Sequence, residues 1–126
     1  KAYRQAELEP KDIILVEGHD ATSFCEIYQL EMLGFCEIGS GGKFVEEGHT
    51  QLGGKLPVNL SGGLVSKGHP VGATGLSMIH ELAVQLKGGA GKRQSERNKF
   101  GLAENGGGVI GFEEAACSVI ILEGSH

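Results

Sequence analysis

Nothing in this sequence has the spacing of a metal site or a disulfide framework. Its three cysteines, Cys25, Cys36 and Cys117, are odd in number and lack any C-x-x-C pair. A reducing compartment is the plain reading, and no metal is expected. There is no basic stripe, and a formal net charge of -5 argues against nucleic acid as the main partner. No apolar run approaches the roughly 18 residues that a membrane span needs, and no charged-then-apolar leader opens the chain. The sequence reads as soluble, without a membrane span, and with any targeting signal lying elsewhere. What is present is ordinary: 126 residues, 40% of them hydrophobic, enough to bury the core of one globular unit over 1–126.

Glycine is the compositional outlier, 22 residues concentrated most at 39 to 54, 62 to 75 and 106 to 111. Clusters between apolar segments suggest backbone turns packed closely on one another rather than disorder. The middle cluster, Asn59-Leu-Ser-Gly-Gly-Leu-Val-Ser-Lys-Gly-His-Pro-Val-Gly-Ala-Thr-Gly75, runs straight into an apolar segment. Pro70 suits a first helical turn, where its missing N–H has no intrahelical partner. His69 is then expected at the positive end of a helix dipole, which disfavours imidazolium and keeps the ring neutral. Taken alone, such a loop would also suit an anion.

The rest of the chain alternates strand and helix signals. Ala2–Leu8 reads as the tail of a helix and Glu9–Asp12 as a turn. Ile13-Ile-Leu-Val16 has the unbroken, partly β-branched pattern of a strand covered on both faces, as in parallel sheets. A helix follows with Phe24, Ile27, Tyr28, Leu30 and Leu33, and Ser23 with Glu26 has capping-box spacing. His19 and Asp20 therefore stand at the carboxyl end of a strand, where open α/β sheets place ligands. Cys36–Pro57 reads as a long surface excursion, in part a lid or substrate loop, with His49 solvated in it. From about Val71 to Leu86 a mostly apolar helix is expected to be buried, with Ser77, Glu81 and Gln85 as its narrow polar stripe. His80 beside that stripe reads as a structural or half-exposed imidazole. Lys92–Lys99 reads as a solvated connector. Strands at Phe100–Ala103 and Ala115–Leu122, the second carrying Cys117 into the core, complete an α/β unit that ends in an antiparallel pair.

Three stretches carry a family resemblance. Ser61–Gly75 resembles the G-H-P block of thiolases, Glu104-Asn-Gly-Gly-Gly108 resembles their C-terminal glycine block, and Val16-Glu-Gly-His-Asp20 is similar to the H-D motif of the sterol-carrier-protein type. The match runs in order over nearly the whole chain and covers the C-terminal half of such a protein. It implies the thiolase-like α/β fold: a mixed sheet packed by helices, one of two similar halves of a five-layered α/β/α/β/α arrangement. The N-terminal half, which carries the nucleophilic cysteine in the family, is then a missing partner. By this resemblance His69 helps to activate the nucleophile and lines an oxyanion hole, His19 contributes to that hole, and a backbone N–H near Gly106 or Gly107 supplies a further donor. Preorganised donors of this kind are typically worth about 2.7 to 4 kcal/mol each. Asp20, Ser61, Gly62, Gly63 and Gly68 are expected on the substrate side.

The same resemblance exposes departures. Where thiolases carry a second, acid/base cysteine, this chain has Ala21 in one motif and Glu104 or Asn105 in the other. Cys25, a helical turn further on, is expected in packing, and Glu104 as a base would require a raised pKa and suitable reach. The first reading is a thiolase-like acyl-CoA acyltransferase acting on the carbon–carbon bond of 3-ketoacyl-CoA, with coenzyme A thioesters as substrate and no covalently bound cofactor. Alternatives are a thiolase-fold aldolase or lyase on hydroxyacyl-CoA, with a small acyl-CoA-binding accessory protein, or a non-catalytic lipid- or acyl-CoA-binding relative. A homodimer or higher oligomer is expected, because half of a fold exposes apolar surface. The expected compartment is cytoplasmic, or peroxisomal or mitochondrial in a eukaryote.

Overall fold

The computed structural model describes residues 1–110 and 113–125, without the side chains of Val109, Glu113 and Glu114. Gly111, at the end of the third glycine cluster, and Phe112 after it lie outside the described residues, as does His126. The elements in order are α1 (Ala2–Ala6), β1 (Leu15–Glu17), α2 (Ser23–Met32), α3 (Gly41–Glu46), α4 (Gly63–Lys67), α5 (Thr74–Leu86), β2 (Phe100–Ile110) and β3 (Glu113–Glu123). Three strands form one mixed sheet in the order β1-β2-β3. β1 lies parallel to β2 with Val16 beside Leu102, and β2 runs antiparallel to β3 with Ala103 opposite Ile120.

Alternation along β2 sorts the core into two clusters. Ala103 joins Leu15, Met78, Leu82 and Leu86 on the α5 face. Leu102 joins Val16, Leu30, Phe44 and Leu56 on the other face, under α2 and α3. Each fully buried leucine of this kind contributes about 1.5–3 kcal/mol of transfer free energy. The doubly covered character expected of the first strand is met: all three β1 residues are buried.

Several local expectations are corrected. Thr22, not Ser23, caps α2, its Oγ1 accepting from the Cys25 N–H at 3.3 Å. The apolar positions Phe24, Tyr28 and Met32 face outward, the two rings stacked with centroids 6.1 Å apart. The Cys36–Pro57 excursion is more ordered than expected: it contains α3 and delivers Phe44 and Leu56 to the core. His49 within it packs its ring on Phe44 at 4.7 Å and brings Nε2 to 3.2 Å from Glu47 Oε2.

α5 buries Met78, Leu82 and Leu86 as expected, but it also buries Glu81 and Gln85 of its polar stripe, whereas Leu76 is 73% exposed and His80 is exposed. The polar stripe goes inward because the connector meets it. Arg93 pairs with Glu81 at 2.9 Å, and Gln85 Nε2 donates to the Arg93 carbonyl while its Oε1 accepts from Ser95 N–H. Burial raises the Glu81 pKa, but hydrogen bonds from Arg93 and Gln85 outweigh it and hold the group below the usual carboxylate value. Lys92–Lys99 is thus in part a packed strap, with Ser95 buried. Cys117, expected in the core, is exposed on β3.

What positions the site is a lateral pairing of residues 16–20 with residues 58–64. Val16 and Val58 form a parallel bridge. Gly18 N–H donates to Asn59 Oδ1 at 2.8 Å, Glu17 receives Ser61 Oγ–H at 2.6 Å, and Asp20 Oδ1 receives Leu64 N–H at 2.7 Å. Gly63, at φ +62°, lies against the buried Asp20 carboxylate so closely that a methyl group would overlap it. Replacing Gly63 by Ala in the protein that carries this chain is expected to cost about 1–3 kcal/mol from backbone strain alone, read as a lowered urea midpoint at unchanged slope.

Candidate functional site

The end of β1 and the glycine loop bring two imidazoles together. His19 and His69 meet edge to face, with ring centroids 4.9 Å apart and planes 73° to one another. His69 does not cap α5. Pro70 starts a separate turn, its carbonyl accepting from Ala73 N–H at 2.7 Å and Thr74 N–H at 3.0 Å, and α5 begins only at Thr74. His69 therefore follows the C-terminal Gly68 of α4, and a side chain rather than a helix N-terminus meets its ring. Its Nδ1 lies 2.7 Å from Thr74 Oγ1, which is also 3.2 Å from the Pro70 carbonyl. When that hydroxyl gives its one proton to the carbonyl, it accepts from His69 Nδ1–H, and the neutral ring presents the Nε2 lone pair.

His19 is held at three points. Its backbone N–H donates to Glu104 Oε2 at 3.1 Å, its carbonyl accepts from Gln29 Nε2 at 2.8 Å, and its Nδ1 lies 3.0 Å from Asn105 Oδ1. Glu104 and Asn105 are neighbours on β2 and so point to opposite faces. Glu104 sits on the α2 side with Cys117, whose Sγ is 3.3 Å from Glu104 Oε1, and Asn105 sits on the α5 side beside Gly75. Of the two positions left open for a second acid/base group, Asn105 is the one that meets a histidine ring. Cys117 is on the other face, and Cys25 Sγ accepts from the Thr22 hydroxyl at 3.2 Å.

The ladder also separates the two glycines expected to donate. Phe100 O accepts from Ile14 N–H on the β1 side, and Lys99 O accepts from Gly124 N–H on the β3 side. Alternation then turns the N–H of Gly106 towards the edge beyond the end of β1 and that of Gly107 into the hairpin. Gly106 is the one aimed at the space beside His19. Among the residues expected on the substrate side, Asp20 is buried and holds α4, Ser61 is occupied by Glu17 and Lys67, and Gly62 and Gly68 adopt φ +100° and +92° at the two ends of α4. Their geometry serves the loop that carries His69.

Beneath that loop lies a buried carboxyl group. Glu17 is 1% exposed; burial pushes its carboxyl above the ordinary value, partly offset by the Ser61 hydrogen bonds and by Lys67, whose Nζ is 3.9 Å away. Residues not anticipated as part of the site are Thr74, Glu17 and Gln29, whereas Asn105 stands at one of the two positions already singled out for a second acid/base group. Thr74 stands inside the glycine loop, and its hydroxyl was the available signal. A groove of about 250 Å³ opens beside Asn105, between Val71, Gly75 and Leu76 on one side and Ala103, Ser118 and Ile120 on the other. Among the described residues no cluster of His, Cys, Asp and Glu could hold a metal ion, and no helix is long and apolar enough to cross a membrane.

A mixed sheet whose first strand ends in one histidine, met edge-on by a second from a glycine loop, defines a thiolase-like C-terminal domain. The chain matches the family described as thiolase C-terminal domain-like over residues 1–123, and it belongs to that family. It is 49% identical over 110 residues to an acetyl-CoA acetyltransferase of Methanothermobacter thermautotrophicus, covering 87% of this chain and 29% of the relative. It is 47% identical over 125 residues to sterol carrier protein 2 of Bos taurus, covering 92% of this chain and 23% of the relative. Among solved structures, the Ltp2-ChsH2(DUF35) aldolase superposes with a TM-score of 0.75 at 29% identity, over 82% of this chain and 26% of that one. The chain thus spans about a quarter of the length of these relatives.

The raised Glu17 pKa sets a pH dependence of stability. The folded state binds this proton more tightly than the unfolded chain, so stability falls as pH rises from the ordinary carboxylate value up through the raised folded one. Glu17→Gln is expected to flatten that fall, measured as urea midpoints across pH 4 to 7 by ~1-unit steps.

Proposed function

We propose that the chain is the C-terminal half of a thiolase-type acyl-CoA acyltransferase that forms or cleaves the carbon–carbon bond of 3-ketoacyl-CoA thioesters. The observation that carries this reading is the pair of imidazoles 4.9 Å apart, each gripped at Nδ1. His69 offers its Nε2 lone pair to a nucleophile, which on this reading is a cysteine of the N-terminal half. The Gly106 N–H, beside His19, lines the place where the thioester oxygen gains charge, and a fixed donor in such a place stabilises the transition state without reorganisation. The apolar residues Val71, Leu76 and Ile120 around the groove give the N-terminal half a surface to pack on. Coenzyme A thioesters are the substrate, no covalently bound cofactor is needed, and the assembly is a homodimer or larger.

A second reading is favoured by two observations. The motif positions hold Ala21, Glu104 and Asn105 rather than a thiol, and the solved neighbour is named an aldolase. A thiolase-fold aldolase or lyase acting on hydroxyacyl-CoA, with a small acyl-CoA-binding accessory protein, fits both. The relatives named sterol carrier protein 2 leave lipid or acyl-CoA binding as a further property to measure.

CoA-dependent cleavage of a 3-ketoacyl-CoA by the complete protein separates these. Turnover is expected, and His69→Ala is expected to lower kcat by about 10²–10⁴. Release of an aldehyde or ketone from a hydroxyacyl-CoA, with no thiolytic cleavage, would sink the first reading in favour of the second. Residues 1–126 alone are expected to show no thiolysis, because the nucleophile belongs to the other half.

A further inference from the structure

The tautomer of His19 is set by one side chain, and that has a chemical consequence. Asn105 Oδ1, 3.0 Å from His19 Nδ1, is an acceptor only. It requires the ring to carry a proton on Nδ1. The neutral His19 ring then presents a bare Nε2, which cannot donate to a carbonyl oxygen but can take a proton. Having taken one, the ring becomes a double donor. The other groups gathered at the end of β1 do not compete for this work. Glu104 lies on the opposite face with one oxygen on the His19 N–H, Cys117 lies on that face with it, and His69 has its own Nδ1 fixed by Thr74. Asn105 in turn is seated by Gly75, where a Cβ would come within 3.1 Å of its Nδ2.

We propose that Asn105 is a positioning residue that holds His19 as the Nδ1–H tautomer, and that His19 thereby shuttles the α-proton of the acyl group. The step rests on the acyl-CoA reading of the site. In condensation the α C–H bond breaks, its proton forms the Nε2–H bond of His19, and its electron pair passes into the enolate. The imidazolium so formed donates from Nε2 to the enolate oxygen. In cleavage the ring first takes on Nε2, by way of His69, the proton given up by the attacking thiol; the carbon–carbon electron pair then enters the enolate, that proton forms the new C–H bond, and His19 returns to the neutral form. His69 is left to serve the nucleophile. Two imidazoles with one proton each on Nδ1 thus divide the proton traffic.

The test uses the complete protein with ¹⁵N-labelled histidine. Long-range ¹H–¹⁵N correlation is expected to show the neutral His19 ring protonated on Nδ1, shifted towards the Nε2–H form by Asn105→Ala and kept in the Nδ1–H form by the near-isosteric Asn105→Asp. With acetyl-CoA in D2O, exchange of the methyl protons is expected to fall on the order of 100-fold in His19→Gln and about tenfold in Asn105→Ala, and to recover in Asn105→Asp. A wild-type His19 ring protonated on Nε2, or one unmoved by Asn105→Ala, overturns the assignment of Asn105. Exchange that survives His19→Gln, or that is absent from wild-type protein able to accept an acyl group from acyl-CoA, overturns the shuttle. The ring measurement needs no substrate. It therefore stands or falls apart from the functional reading, which fails by itself if the wild-type protein accepts no acyl group at all.

Discussion

Everything at the site depends on the lateral grip between residues 16–20 and 58–64. Two carboxylates three residues apart, Glu17 and Asp20, reach from the end of β1 to Ser61 and to the backbone of Leu64. Both are buried, so each is worth more as an acceptor than on the surface and costs more if its partner is lost. Asn59 closes the other side, accepting from Gly18 and donating to Glu26 at 3.1 Å. Among the described residues no buried side-chain N or O is left without a partner, as such a grip requires. Because the grip sets where α4 starts, and α4 is only five residues long, His69 is delivered to His19 with little slack.

The chemistry follows from hydrogen bonds one step behind the rings. Thr74 and Asn105 lie on different elements, yet each engages the Nδ1 of one ring. The two rings gain this anchoring from α5 and β2 respectively, and those elements are joined through Ala103, Met78 and Leu82 in one apolar cluster. Core packing thereby carries into the site: the depth at which α5 sits on the sheet fixes the distance between Thr74 and Asn105.

Much of the fold was legible. The unbroken apolar run before Glu17, the glycine stop at Gly34 and the strand at Ala115–Leu122 each announce their element through a local period or breaker. The site was legible as two histidines in glycine-bearing blocks. The faces were not. Glu81 and Gln85 look like a solvent stripe until Arg93 and Ser95 return over them, and Phe24, Tyr28 and Leu76 look like core, yet they stand exposed among the described residues. An amphipathic pattern states which residues differ from their neighbours; which side is buried depends on partners distant in sequence. Cys117 illustrates the same point, since an apolar strand places its residues inside only if both faces are covered.

The sequence by itself determined the order of elements, the family and the two imidazoles, because these depend on local periodicity and on motifs read along the chain. Only the tertiary structure decided which glycine N–H points beyond the end of β1, which of Glu104 and Asn105 meets the His19 ring, and which nitrogen of each ring is engaged. Those are questions of strand parity and of contacts between residues 74, 105 and the two histidines. A side chain's direction is set by the ladder and the helix that hold it, and neither is written in its neighbours.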